Sequence, residues 1–284
     1  MLAGLPVGVA ALLVILLSST GSTVGGRRPR ASPRSRGDAR TATVALPAEE
    51  SAETPELRKL VAMGKPIYCA APRGNEVALT FDDGPGTYTK LAIAKLRKHR
   101  LKATFFIVGR NIALQPSSIR RERSLGAVGD HTFTHPLLTA LSPALAESEI
   151  VRTQHAVEGA SGGPVFLFRP PYGAHDATID SIARAHGLLE ILWTVDSRDS
   201  LGASYAQIEQ NVAKGMRPGA IILMHENHGQ TIRAMLGIFA ALQRRHMRAV
   251  SVPRLLSDDP PSANQVRAGG RGCGVSSSVG TGGG

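Results

Sequence analysis

Val77-Ala-Leu-Thr-Phe-Asp-Asp-Gly-Pro-Gly86 is a short apolar run that ends in two adjacent carboxylates and a turn. Apolar runs of this length, bounded by Gly and Pro, read as buried strands. Adjacent residues leaving a strand point in different directions, so one carboxylate can bind a metal ion while its neighbour faces a substrate. Taken alone, the segment has a plainer account, since Asp-Gly-Pro is ordinary turn chemistry and an acidic cap on a β-turn.

Further apolar runs follow at 104–108, 126–129, 166–168, 190–195, 220–225 and 249–252, which makes seven candidate strands. Amphipathic stretches at 89–99, 115–125, 143–159, 176–186, 205–215 and 231–245 predict helices between them. Ser142 can cap a helix with Pro143 at its first position, and Gly187 and Gly215 suit the left-handed residue that closes one. This alternation predicts an α/β fold with a largely parallel sheet. Because polar residues gather just after strand ends, the expected architecture is a distorted (β/α) barrel of about seven parallel strands. A doubly wound open sheet is the runner-up.

Four more segments carry groups able to do chemistry. In Gly129-Asp-His-Thr-Phe-Thr-His-Pro136, His131 and His135 stand four apart, and on one helical turn such a pair shares a face and chelates one ion. With one carboxylate from the first segment they make a two-histidine, one-carboxylate site that leaves positions open for water and substrate. In Phe168-Arg-Pro-Pro-Tyr-Gly173 an arginine ends a strand, and the fixed loop after it can aim the Tyr172 backbone N–H at an oxyanion. Leu192-Trp-Thr-Val-Asp-Ser-Arg-Asp-Ser200 and Ile221-Ile-Leu-Met-His-Glu226 deliver Asp196, Asp199 and His225 at strand ends. A histidine with a carboxylate partner is a general acid suited to a leaving amine. The plain alternatives are a salt bridge for Arg169, a packed core histidine for His225 and a helix N-cap for Asp199.

The ends differ from the middle. Residues 2–17 contain no charged side chain, and residues 1–24 read as a signal peptide or N-terminal membrane anchor, so an exported or cell-envelope location is expected. Residues 25–66 read as a basic Pro/Ser/Gly-rich linker and residues 257–284 as a Gly/Ser-rich disordered tail. The net charge of +11 invites a nucleic-acid reading, but six arginines fall between Arg27 and Arg40, in a segment unable to bury a core. No nucleic-acid-binding motif accompanies them, and no nucleic-acid partner is expected. Cys69 and Cys273 flank the part that reads as folded, where they would bridge its ends or remain two free thiols.

In this order, the segments TFDDGP, HTFTH, RPPYG, DSRDS and LMH closely resemble the motif set of the polysaccharide deacetylases, carbohydrate esterase family 4, with its NodB homology domain. The resemblance spans residues 77–252 and implies a catalytic domain at about 67–256. It implies that Asp83, His131 and His135 bind a divalent metal, zinc first, with cobalt or manganese as alternatives. Asp82 would be the general base and Arg169 its orienting partner. The Tyr172 amide would complete the oxyanion site, Leu223 would line the acetyl pocket, and Pro170 and Trp193 would border the substrate. His225 would be the general acid, tuned by Asp199. The implied partner is an N-acetylated polysaccharide, peptidoglycan or chitin-like, deacetylated by a monomer. An O-acetyl xylan esterase and a non-catalytic glycan-binding homologue are the alternatives. Ser200 departs from the family's pattern, which commonly has tryptophan there, and this puts the substrate pocket in question rather than the metal.

Overall fold

The computed structural model describes residues 48–274. The expected signal or anchor at 1–24 and most of the basic linker lie outside these residues. Among the described residues no helix is long and apolar enough to cross a membrane.

Eight strands form one sheet: β1 Glu76–Gly84, β2 Ala103–Ile107, β3 Gly126–Asp130, β4 Leu167–Phe168, β5 Leu189–Glu190, β6 Val195–Asp196, β7 Ile221–His225 and β8 Arg248–Val250. Every strand pairing is parallel, in the order β5-β4-β3-β2-β1-β7-β6, with β8 also on β1. The stretch 190–195, expected as one strand, is therefore two strands on opposite edges of the sheet. Four residues, 191–194, join those edges, and so short a connection reaches at most about 17 Å. The sheet must curl until its edges nearly meet, which produces the distorted (β/α) barrel.

Ten α-helices occur among the described residues, along with four short 3-10 helices. The α-helices are α1 Ala48–Ser51, α2 Pro55–Met63, α3 Thr89–His99, α4 Pro116–Arg123, α5 Pro143–Ser161, α6 Ala177–Ala185, α7 Tyr205–Gly215, α8 Gly229–Arg244, α9 Val252–Asp258 and α10 Ala263–Ala268. Ser142 caps α5 as expected, its hydroxyl accepting from the Leu145 N–H, and Gly187 adopts φ +70° just beyond α6. Gly215 does not take the left-handed role: it is the last residue of α7, where a Cβ would lie 2.7 Å from Val195 Cγ2. Its absent side chain serves the close approach of α7 to β6.

Strand alternation divides the core in two. Val77, Leu79 and Phe81 pack on the outer helices with Phe105, Ile222 and Met224. Ala78, Phe106, Ala127, Leu167 and Ile221 face the other way, onto Leu57 and Leu60 of α2 and Leu255 and Leu256 of α9. Fully burying each such leucine contributes about 1.5–3 kcal/mol. This corrects the linker boundary: a linker through residue 66 would leave the inner face without α2. It also corrects the tail, because Ser262 opens a capping box on α10, and Cys273 is joined to Cys69 by a disulfide spanning 204 residues. The apolar plug thus fills the inner face at the strands' N-terminal halves, and polar chemistry is left to their C-terminal ends.

Candidate active site

Period-two alternation on β1 puts Thr80 and Asp82 on the inner face with Ala78. Register places Thr80 opposite Leu223 and Asp82 opposite His225 on β7. Asp83 would by the same rule point outward. Instead the pairing with β2 slips between Asp82 and Gly84, and Asp83 adopts φ 71°. That bulge re-aims its carboxylate, as bulges near functional sites do. Asn111 donates to the Asp83 carbonyl at 3.0 Å and Asn227 to Asp83 Oδ2 at 3.2 Å, which holds the bulge.

His131 and His135 are not on a helix. They lie in the loop after β3, with Thr132 at φ 62° and His135 at φ 64°. Asp130 forms this loop by accepting the Thr132 N–H at 2.7 Å, and the Thr132 hydroxyl then accepts the His135 N–H at 3.1 Å. The two rings meet edge to face, centroids 4.9 Å apart. Left-handed backbone at bulky residues costs about 1–3 kcal/mol each and persists only where the surroundings enforce it. Asp83, Thr132, His135, Tyr172 and Arg198 all carry this strain within the five motif segments.

The donor set suits a metal. Ligand atoms of Asp83, His131 and His135 lie within 4.8 Å of one another. Asp83 Oδ1 is 3.7 Å from His131 Nε2 and 3.4 Å from His135 Nε2. His131 Nδ1 sits 2.7 Å from the Arg169 carbonyl, which can only accept, so Nδ1 carries the proton and Nε2 keeps its lone pair for an ion. Burial, with His131 alongside, lowers the His135 pKa despite the pull of Asp83 and Asp82, favouring the neutral ligand form. Burial would raise Asp83, but the charges of His131, His225 and His135 and the Asn227 hydrogen bond hold it below the ordinary carboxylate value.

Asp82 lies beside this group. Its Oδ1 accepts from Arg169 at 2.7 Å, and its Oδ2 lies 3.7 Å from His131 Nε2. Arg169 is fully buried, donating also to Thr80 Oγ1 at 2.8 Å and to the carbonyls of Ile191 and Leu192 at 3.0 and 3.3 Å. Its guanidinium carbon lies 4.1 Å from the centre of the Phe106 ring. Burial lowers the arginine's pKa, and Asp82 opposes that shift. Pro170 and Pro171 are buried and lead into the turn where Tyr172 stands at φ 62°, its exposed ring 4.8 Å from that of His135. Trp193 packs where a Cβ on Gly173 would be, its Cη2 2.8 Å from that position.

Across β7, His225 Nδ1 lies 2.7 Å from Asp199 Oδ1, and the His225 N–H donates to Asp199 Oδ2, also at 2.7 Å. Thr231 of α8 donates to the same oxygen at 2.5 Å. Burial would drive a proton off His225, but the Asp199 hydrogen bond and charge, with Asp82 and Asp83 beyond, raise it to about 9. Burial likewise opposes the Asp199 charge, and the bonds from His225 and Thr231 bring that carboxyl to about 2. Leu223 is 5% exposed on the same face, two residues before His225. Ser200 is exposed, and its N–H donates to Asp199 Oδ1 at 2.8 Å. Asn111, Asn227 and Thr231 also serve the site, and no sequence pattern marks them; Thr80, which lies within the first motif segment, serves it too. An open cleft of about 280 Å³ adjoins it, lined by Asp83, Arg110, Asn111, His135, Tyr172 and Asn227 among others.

Known proteins resemble this chain in sequence and fold. A family model described as polysaccharide deacetylase matches residues 70–191. The chain is 35% identical over 198 residues to a chitooligosaccharide deacetylase of Bradyrhizobium sp., covering 63% of this chain and 90% of that protein. It is 33% identical to a peptidoglycan-N-acetylglucosamine deacetylase of Listeria monocytogenes, over 66% of this chain and 40% of that one. It is 39% identical to a bifunctional xylanase/xylan deacetylase of Cellvibrio japonicus, over 53% of this chain and 23% of that one. The chain thus spans less than half the length of two of these three relatives. Among solved structures, a family 4 carbohydrate esterase from Streptomyces lividans in complex with acetate aligns with TM-score 0.60 and 41% identity, over 62% of this chain and 92% of that chain. On this likeness in sequence and fold, the chain belongs to the polysaccharide deacetylase family.

Proposed function

We propose that this chain is a metal-dependent hydrolase that removes N-acetyl groups from an N-acetylated glycan, peptidoglycan or chitin-like. The observation that carries this reading is the pairing of two carboxylates with different partners. Asp83 shares one cluster of ligand atoms with two imidazoles, whereas Asp82 is held through Oδ1 by buried Arg169, with Oδ2 3.7 Å from His131 Nε2 alone. Family relatives that act on chitooligosaccharide and on peptidoglycan N-acetylglucosamine support the substrate class.

Asp83, His131 and His135 would hold the ion, and zinc is proposed because two imidazoles and one carboxylate are a donor set it favours. When bound, the ion supplies Lewis acidity to the acetyl carbonyl and lowers the pKa of water. The chain's own groups do the rest. Asp82 takes the proton of the attacking water. The Tyr172 N–H donates to the oxygen that becomes negative. His225, kept protonated by Asp199, gives its proton to the leaving nitrogen as the C–N bond breaks, so that acetate and a free amine are the products. Pro170 fixes the Tyr172 turn, and Leu223 and Trp193 bound the space for the acetyl group and sugar.

Residues 67–256 are proposed as the core of the catalytic unit, with α2 and the Cys273 segment as its structural margins. Residues 1–24 are proposed as the export signal or anchor, acting on a monomer outside the cytoplasm. The Cys69–Cys273 disulfide favours an oxidising compartment. The same machinery would serve O-acetyl xylan, a reading favoured by the xylan deacetylase among the relatives. The test is acetate release from N-acetylglucosamine oligomers, peptidoglycan and acetylated xylan, with and without chelator. The reading expects chelator-sensitive acetate with one free amine per acetate; acetate without amine selects the esterase, and binding without acetate selects a glycan-binding homologue.

A further inference from the structure

We propose that His175, Asp180 and Glu190 form a second divalent-metal site, separate from Asp83, His131 and His135, which fastens the Tyr172 loop to the segment that holds Arg169. The three residues come from different elements. His175 lies in the loop after Tyr172, Asp180 in the first turn of α6, and Glu190 ends β5.

Their ligand atoms lie within 4.8 Å of one another. His175 Nδ1 is 2.9 Å from Asp180 Oδ1 and 3.7 Å from Glu190 Oε1. Donors around a tetrahedral zinc at its usual bond lengths stand about 3.4 Å apart; the 3.7 Å separation is near that value, and the 2.9 Å one is a hydrogen bond that an ion held between the two atoms would replace. On the far side of the ring, His175 Nε2 lies 3.5 Å from the Tyr68 hydroxyl, an outer contact of the kind that orients metal-binding imidazoles. Lys65 approaches Asp180 through the other oxygen, Oδ2, at 3.7 Å, which leaves Oδ1 facing the imidazole.

Glu190 is the second, independent pointer to a cation. It is 4% exposed, and neither carboxylate oxygen has a hydrogen-bond partner. An orphaned buried carboxylate is costly and calls for a proton or a cation. The neighbouring Asp180 offers only acceptor oxygens unless one of the two groups is protonated. Burial, against His175 and with Asp180 alongside, pushes Glu190 up to about 8, so a shared proton is the competing account. The His175 side chain is 26% exposed, which gives an ion a way in.

The placement gives the site a consequence. His175 follows the Pro171–Gly173 turn that presents the Tyr172 amide, and Glu190 precedes Ile191 and Leu192, whose carbonyls accept from Arg169. An ion gripped by both would fix the two segments relative to each other.

The test is zinc stoichiometry, by equilibrium dialysis against zinc chloride and elemental analysis of the disulfide-bonded chain. The expected values are two zinc ions for the wild type, one for E190Q, one for H131A and none for H131A/E190Q. H175A, at a partly exposed position, should lose the same ion as E190Q, and zinc should raise the Tm of H131A but not of H131A/H175A. One ion in the wild type with none in H131A would overturn the proposal, as would two ions retained in E190Q and H175A. One ion in the wild type, lost in E190Q and kept in H131A, would uphold this site and refute the metal at Asp83 instead.

Discussion

Asp199→Asn keeps the shape of the side chain and removes its charge, and its effect can be worked out from the His225–Asp199 pair. In the folded chain His225 is raised from 6.5 to about 9, a difference of about 2.5 units, or about 3.4 kcal/mol at 1.36 kcal/mol per unit. Without the carboxylate, burial is opposed only by the charges of Asp82 and Asp83, and the imidazole falls back toward 6.5. At pH 8 a group of pKa 9 is about 90% protonated and one of pKa 6.5 about 3%, so the proposed general acid loses about thirtyfold in active form. At pH 5.5 both proteins hold the proton, and their rates should differ by little. The assay is acetate release across pH, read as the alkaline limb of kcat. The wild-type limb should fall near pH 9 and the variant limb well below it, toward 6.5. An unmoved limb in D199N would refute the assignment of His225 as the proton donor. Stability should carry the same signature. The His225 contribution is complete below 6.5 and is lost as pH rises from there through about 9. The Asp199 contribution is complete above 3.8 and is lost as pH falls toward about 2.

Asp82→Asn should lower kcat by at least about 10²–10⁴, the usual contribution of a general base, while zinc binding measured by dialysis stays intact. Cys69→Ser opens a disulfide loop of 204 residues, and loop-closure entropy sets the loss at up to about 5 kcal/mol, read by urea denaturation with and without reductant. Gly84→Ala would put a Cβ 1.5 Å from Glu226 Oε1, on a fully buried side chain that cannot swing away. It should cost at least about 1–3 kcal/mol in thermal unfolding and weaken zinc binding by moving Asp83.

Local signals made some elements legible to the residue. The helix expected at 89–99 from its amphipathic pattern is α3, with Ala92, Ile93 and Leu96 on its buried face. The helix at 205–215 is α7, opened by the Ser204 and Gln207 capping box. The misread elements depend on distant partners. The run 190–195 reads as one strand because Ile191, Leu192, Trp193 and Val195 are apolar, and nothing within it reveals that its ends join opposite edges of a curled sheet. α2 is a short helix that lies ahead of the first strand, outside the strand–helix alternation, yet Leu57 and Leu60 complete the inner core. The four-residue spacing of His131 and His135 suggested a helical turn, whereas the Asp130 and Thr132 side chains bend the loop to bring them together. Asn111 stands in a short 3-10 helix, Asn227 in a turn and Thr231 at a helix start, where polar residues are common and carry no period.

The most direct measurement is anomalous diffraction at the zinc edge from crystals of the zinc-loaded chain. The account predicts a peak about 2.0–2.2 Å from one Asp83 oxygen, His131 Nε2 and His135 Nε2, with both Asp82 oxygens outside the bonding sphere. Density bonded to Asp82 in place of Asp83, or no peak between the two imidazoles, would contradict it.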